Sequence, residues 1–278
     1  MQTFIDLLSY QFFQNALAAA FVASILSGFI GTYIVSRRMV FVTDGITHSS
    51  FGGLGIAYFF GLNPFLGAVL FGVGTALGIE WMSRKGNIRE DSAIAILWAV
   101  GMATGIVFVF LTPGYTPNLM SFLFGNILNV TKLDIVILSS LAIAVASFFM
   151  LFYRVVLLTA HDPEFASASG VPVNAFRYVL MILIALTVVF SIKIAGIILV
   201  MSIFTIPQII ASVFTRNFGT IIPLSMLFAF LGLTGGLIAS YFADFPSGAS
   251  IILALVVLWG LLKGFTWMIR WRKQPAKT

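Results

Sequence analysis

A chain of 278 residues that is 60% hydrophobic and 9% charged, with a mean hydropathy of +1.09, lies far outside soluble-domain usage and reads as an all-α, polytopic membrane protein. The lack of cysteine excludes disulfides, thiolate metal centres and cysteine nucleophiles. The net charge of +6 is dispersed over short loops and does not cluster with aromatics on a soluble face, so it speaks for membrane topology and against nucleic acid.

A hydrocarbon core of about 30 Å takes roughly 20 helical residues to cross. Apolar stretches fall at about 12–36, 39–60, 64–82, 92–111, 133–153, 176–191, 194–214, 219–241 and 249–268, which predicts a transmembrane helical bundle of eight or nine spans. The count depends on whether 176–214 forms a tight pair around Ser-Ile-Lys. The opening MQTFIDLLSYQFFQN has no basic n-region and no small-residue cleavage site, so the first span is expected to stay in the mature protein. With no internal repeat, low-complexity tract or linker, residues 1–278 are expected to form a single transmembrane domain.

The second stretch carries the first chemistry. In RRMVFVTDGITHSSFGG, residues 37–53, Asp44 and His48 stand four apart and so share one helix face. Counted from Arg37 at the membrane surface, Asp44 lies about 10 Å deep and His48 about 16 Å, near the midplane, at ~1.5 Å per residue. An ionisable pair at that depth costs several kcal/mol unless it is paired, hydrated or metal-bound. Three roles are open: ligands for a divalent ion such as zinc, manganese or iron, a proton relay, or an internal hydrogen bond that holds two helices.

Further along, Gly74/Gly78, Gly101/Gly105 and Gly232/Gly236 have the spacing that lets helices approach closely. Glu80, beside Trp81 near a span end, is expected to snorkel or to make a surface salt bridge. In TAHDPEFASASGVPVNAFR, residues 159–177, Asp162 is a good N-cap, Pro163 fits the first helical position, Glu164 complements the helix dipole and Gly170 ends the helix before Pro172. A short capped helix at about 162–170 follows, either a connector or a knob that docks on a cytoplasmic partner. Lys193 and Asp244 read as outer-turn residues. Pro207 and Pro223 interrupt apolar stretches, as broken helices beside a pathway or as inert kinks, and Pro207 with Gln208 is the candidate for a gate.

Placing the loops of Arg37, Arg84 and Arg154 in the cytoplasm also puts Arg38, Lys85, Arg89, Arg177, Arg216, Lys263, Arg270, Arg272, Lys273 and Lys277 there, leaving Lys132 and Lys193 outside. The N-terminus is then outside and the C-terminus inside.

The second stretch and the loop resemble the permease subunits of metal-ion ABC importers, the zinc/manganese/iron family. That family's pattern, close to R-R-x-x-F-x-x-D-x-x-x-H, matches Arg37, Arg38, Phe41, Asp44 and His48. The loop resembles the family's ATPase-coupling segment at Asp162, Pro163, Glu164, Ala166, Gly170 and Val171. SFLFGNIL at 121–128, KIAGIILVMSIFTIPQ at 193–208 and DFPSGA at 244–249 are similar too. Two departures bear on pathway width: Gln208-Ile209-Ile210 after Pro207, and Ser49-Ser50-Phe51-Gly52-Gly53 after His48.

The resemblance implies a type II ABC-importer-like permease of the bacterial plasma membrane, working as a homodimer with an extracytoplasmic metal-binding protein. It makes Asp44 and His48 pathway ligands. The chain has no G-x-x-x-x-G-K-[ST], so ATP is expected on two separate cytoplasmic ABC ATPase subunits and this subunit is not an enzyme. No permanently bound cofactor is expected; the cargo is a divalent transition metal, zinc ahead of manganese or iron. A proton-coupled secondary transporter using Asp44 and His48, and an ABC permease for an iron chelate or cobalamin, remain as alternatives.

Overall fold

Helix caps written into the sequence set where several spans begin. In the computed structural model, which describes residues 9–113 and 127–272 with side chains through residue 268, Asn63 accepts from the Phe65 and Leu66 amides and Pro64 opens the following helix. Thr131 and Asp134 cap each other's backbone amides in a capping box, and Asn217 caps through the Gly219 amide. The helices are α1 (Gln11–Ser36), α2 (Val40–Phe59), α3 (Pro64–Lys85), α4 (Glu90–Leu111), α5 (Lys132–Leu151), α6 (Tyr153–His161), α7 (Pro163–Ala168), α8 (Val173–Ala195), α9 (Ile197–Ile203), α10 (Ile206–Phe214), α11 (Phe218–Ala243) and α12 (Ser247–Arg272). Among the described residues there is no strand.

Eight helical segments are long and apolar enough to cross a membrane, with α9 and α10 counted as one broken segment. The 20-residue α2 is not among them, because Thr43, Asp44, Thr47, His48, Ser49 and Ser50 dilute its hydropathy. Its hydroxyls cost little in place: Thr43, Thr47 and Ser50 donate to the carbonyls of Val40, Thr43 and Thr47 at 2.7, 2.6 and 2.7 Å. The alternation of ends makes α2 a ninth crossing. Asn15 donates to the Val130 carbonyl at one end of the bundle, where Lys193 also pairs with Asp134. At the other end Tyr33, Arg37, Glu80, Arg84 and Arg177 gather.

The pair expected to turn at Ser-Ile-Lys turns slightly later. Lys193 is still helical, and the reversal falls on Gly196 at φ 76°, a left-handed conformation that glycine adopts without a Cβ penalty. The next span breaks at Phe204–Thr205, and Pro207 lies in the first turn of α10. Pro223, by contrast, is carried inside an α11 that runs 26 residues. Helix α1 contains a π segment, Ser27–Gly31, opposite the break in the α9–α10 span.

Glycine contacts decide the packing. A Cβ on Gly101 would lie 2.4 Å from Ser49 Cα, and one on Gly105 would lie 2.6 Å from the Phe51 carbonyl oxygen, so α2 and α4 touch backbone to backbone. Gly53 and Gly67 bring α2 and α3 together in the same way, and Gly232 and Gly236 seat α11 on Leu255 and Ile251 of α12. The expected Gly74/Gly78 contact does not form: Gly74 faces open space and Gly78 meets only the Leu97 side chain. The result is that α2 sits among α3, α4 and α8, while α1 packs against α5 and α11.

Candidate metal pathway and coupling surface

From Val42 to Gly55 every residue of α2 is buried except Asp44 and His48. Their side chains are 18% and 23% exposed, and His48 Nε2 stands 3.5 Å from Asp44 Oδ1. The His48 ring stacks on Trp98 of α4, with centroids 4.7 Å apart and planes 10° from parallel. His48 Nδ1 is buried without a hydrogen-bond partner. An oxygen donor and a nitrogen donor thus lie side by side, both side chains partly exposed and the imidazole covered on one face by an indole, a donor set whose chemistry suits a divalent ion. Among the described residues no group of three or more His, Asp or Glu gathers in one place, so this chain supplies two protein donors at this point. His161, the other histidine, is exposed, bonds the Leu157 carbonyl and stands against Phe218. Trp98 escaped the sequence reading because nothing local distinguishes it from the apolar residues of its span.

Glu80 departs from its expected place. It is 4% exposed, with Arg84 Nε at 3.4 Å and Arg177 of α8 at 3.9 Å from its Oε1, so it does not snorkel and its ion pairs are not on the surface. The turn of Arg37 and Arg38, the latter at φ 59°, closes this cluster from α1, and Arg37 reaches the Tyr33 hydroxyl at 3.4 Å. The α3 span continues to Lys85, which sinks Glu80 a turn deeper than the sequence boundary at 82 implied. At the opposite end Lys193 donates to Asp134, which also accepts from Thr131 at 2.7 Å, and Lys193 lies 5.6 Å from the centre of the Phe65 ring.

The 159–177 loop folds as its grammar predicts. Asp162 accepts from the Phe165 amide at 2.9 Å, Pro163 opens α7, and Glu164 lies in its first turn. Gly170 takes φ 81°, and the Val171 amide returns to the Ala166 carbonyl at 3.1 Å, the bond that closes a helix end of this kind. Ala166 is fully buried, while Asp162, Glu164 and Phe165 face outward.

Gln208 is wholly buried. Its amide donates to the Ser27 carbonyl at 2.7 Å and to Ser27 Oγ at 2.9 Å, and Gly31 leaves the space that its side chain fills. Ser27 Oγ in turn donates to the Ile203 carbonyl at 2.6 Å. The broken α9–α10 span is thus laced to the π segment of α1. Of the resembling stretches, 121–126 lies outside the described residues, as do Lys273 and Lys277 and the side chains of Arg270 and Arg272.

Residues 9–263 match the model of the ABC 3 transport family. The chain belongs to that family. It is 37% identical over 258 residues to the manganese transport system membrane protein MntC of Halalkalibacterium halodurans, covering 93% of this chain and 88% of the relative. Identity to the MntC protein of Listeria monocytogenes is 35% over 252 residues, covering 91% and 90% of the two chains. Among solved structures, PsaBC from Streptococcus pneumoniae in complex with Fab superposes with a TM-score of 0.82 at 31% identity and covers 94% of each chain. The family expected from Arg37 to His48 and from the 162–171 loop is the one found. The chain is a membrane permease subunit of the metal ABC importer family, placed in the bacterial plasma membrane, and the ATPase is a separate subunit.

Proposed function

We propose that this permease carries manganese inward through a pathway in which Asp44 and His48 form a transient stop. The observation that carries the reading is that these two side chains alone break the burial of α2 between Val42 and Gly55. The names of the MntC relatives favour manganese over zinc and iron, and an oxygen-and-nitrogen donor pair without sulfur suits that choice. Two copies facing each other across a homodimer would supply two carboxylates and two imidazoles. Weak coordination is an advantage here, since a pathway site must release its ion as readily as it admits it.

Residues 1–278 act as one transmembrane domain in this reading. Helix α7, with Asp162, Pro163, Glu164, Ala166, Gly170 and Val171, docks on an ATPase that binds and hydrolyses ATP, and an extracytoplasmic metal-binding protein delivers the ion. Closure of the motor pushes α7 and, through α8, the helices around α2. Pro207 and Gln208, at the break of the α9–α10 span, form the point about which that span bends.

The test is uptake of manganese by proteoliposomes holding the permease with its co-purified ATPase, with zinc and iron as competitors. ATP-driven manganese uptake that His48→Ala abolishes, with dimer and ATPase retained, is the expected result. Undiminished uptake in a variant carrying both Asp44→Ala and His48→Ala would remove the pathway site. Uptake driven by a pH gradient with no ATPase present would remove the motor.

A further inference from the structure

A basic pocket of about 420 Å³ opens where the end of α10 meets the last turns of α12, outside every site described so far. Its polar lining is Arg216, Lys263, Ser212, Thr215 and Thr266, and its apolar rim is Val213, Phe214 and Trp267. Arg216 and Lys263 are exposed, and neither joins an ion pair among the described residues. Lys263 Nζ lies 4.7 Å from the centre of the Trp259 ring, which holds the ammonium at the pocket while leaving its charge without a counter-ion.

The depth fits a phospholipid headgroup. Helix α12 has 26 residues, more than a hydrocarbon core of about 30 Å requires. Counted from Ser247 at ~1.5 Å per residue, Lys263 lies about 24 Å along the axis, and Thr266 and Trp267 about 29 Å. The cations therefore stand at the inner edge of the hydrocarbon, where a long basic side chain reaches the interface and tryptophan settles. On the pocket's flank of α12, Val256 is exposed two helical turns before Lys263, with Leu253 and Val257 beside it, and they continue the lipid-facing flank. Arg216 comes from the short α10–α11 loop and Lys263 from the side of α12, and the exposed apolar face of α12 runs from that pair toward the middle of the bilayer.

We propose that this pocket binds an anionic phospholipid of the inner leaflet, its phosphate held by Arg216 and Lys263 and its acyl chains lying along α12. Guanidinium and ammonium donors suit an acceptor-only phosphodiester, and basic pockets between helices at this depth are suited to acidic headgroups. The bound lipid bridges the end of α10, the moving half of a broken span, to α12.

The experiment is native mass spectrometry of the purified permease with its ATPase, after exchange into phosphatidylglycerol or phosphatidylcholine. The wild type is expected to retain phosphatidylglycerol in preference to phosphatidylcholine. Arg216→Gln with Lys263→Gln is expected to weaken that retention about twenty-fivefold, at roughly a fivefold loss per surface cation. Lys263→Arg, with the charge kept, should retain the lipid and so separates charge from folding. Equal retention by the wild type and the double variant overturns the proposal, as does equal retention of the two lipids. Displacement of the lipid by inorganic phosphate overturns it in favour of a soluble anion. Release of the ATPase from the double variant with lipid retention intact overturns it in favour of a protein dock.

Discussion

Replacing Gly101 by alanine tests whether α2 is held by backbone contact. The new Cβ would lie 2.4 Å from Ser49 Cα and 2.7 Å from the Ser49 carbonyl oxygen, and neither backbone atom can rotate aside. Restoring ordinary contact requires α4 to retreat from α2 by about 1 Å, an overpacking cost of about 1–3 kcal/mol. Alanine's better helix propensity returns up to about 1 kcal/mol. Gly74→Ala is the matched control, since nothing lies within 4 Å of a Cβ there and only the propensity gain remains. Because Ser49 adjoins His48, and Trp98 precedes Gly101 by one helical turn, the retreat also lifts the indole off the imidazole. Gly101→Ala is expected to unfold a few degrees below the wild type in detergent and to lose most ATP-driven manganese uptake, while Gly74→Ala matches or exceeds the wild type in unfolding temperature. Equal unfolding temperatures for the two variants would refute the close-contact account of the α2–α4 pair.

Glu80→Gln leaves the Arg177 guanidinium buried without a carboxylate and is expected to cost about 3–5 kcal/mol, read as a fall in unfolding temperature. Adding Arg177→Gln should recover part of that loss, which a double-mutant cycle measures. Gly170→Val forces a β-branched residue to φ 81°, a strain of about 1–3 kcal/mol confined to the end of α7. The expected outcome is ATP hydrolysis that persists while manganese uptake per ATP drops. Gln208→Leu removes two hydrogen bonds to Ser27 but also an amide oxygen that has no partner, so the net destabilisation is expected to be only about 1 kcal/mol. Its larger effect should be on uptake, since the lacing between α1 and the broken span is gone.

Local grammar was legible in the sequence where neighbours in the chain suffice. Asp162, Pro163 and Gly170 write a capped helix within ten residues, and that helix forms. Gly101/Gly105 and Gly232/Gly236 pack as their spacing predicts. The Gly74/Gly78 pair has the same spacing and fails, because spacing says that a close approach is allowed and not that a partner arrives. The candidate metal pair was readable because two ionisable groups on one face of an apolar stretch are costly unless used. Its Trp98 neighbour was not, since that contact exists only through the α2–α4 interface. Glu80 was misplaced for a related reason: its partner Arg177 lies 97 positions along the chain, and only the fold turns a boundary carboxylate into a buried one. The Asp134–Lys193 pair, 59 positions apart, was hidden in the same way.

The π segment of α1 makes that helix a text in two reading frames. Each residue advances an α-helix by about 100°, and the π turn accommodates one residue more than the regular repeat. Upstream, Phe13, Ala16, Ala19 and Ala20 form an inward stripe; from Val22 to Ile34 nearly every residue is buried and the helix is enclosed on all sides. Deleting one residue from Ser27–Gly31 would merge the frames and rotate one half of the helix by about 100° against its buried neighbours. Conservative substitutions in this stretch are therefore expected to be forgiven far more often than a single-codon deletion, and a length-aligned comparison that closes a gap there would pair residues about 100° apart around the helix.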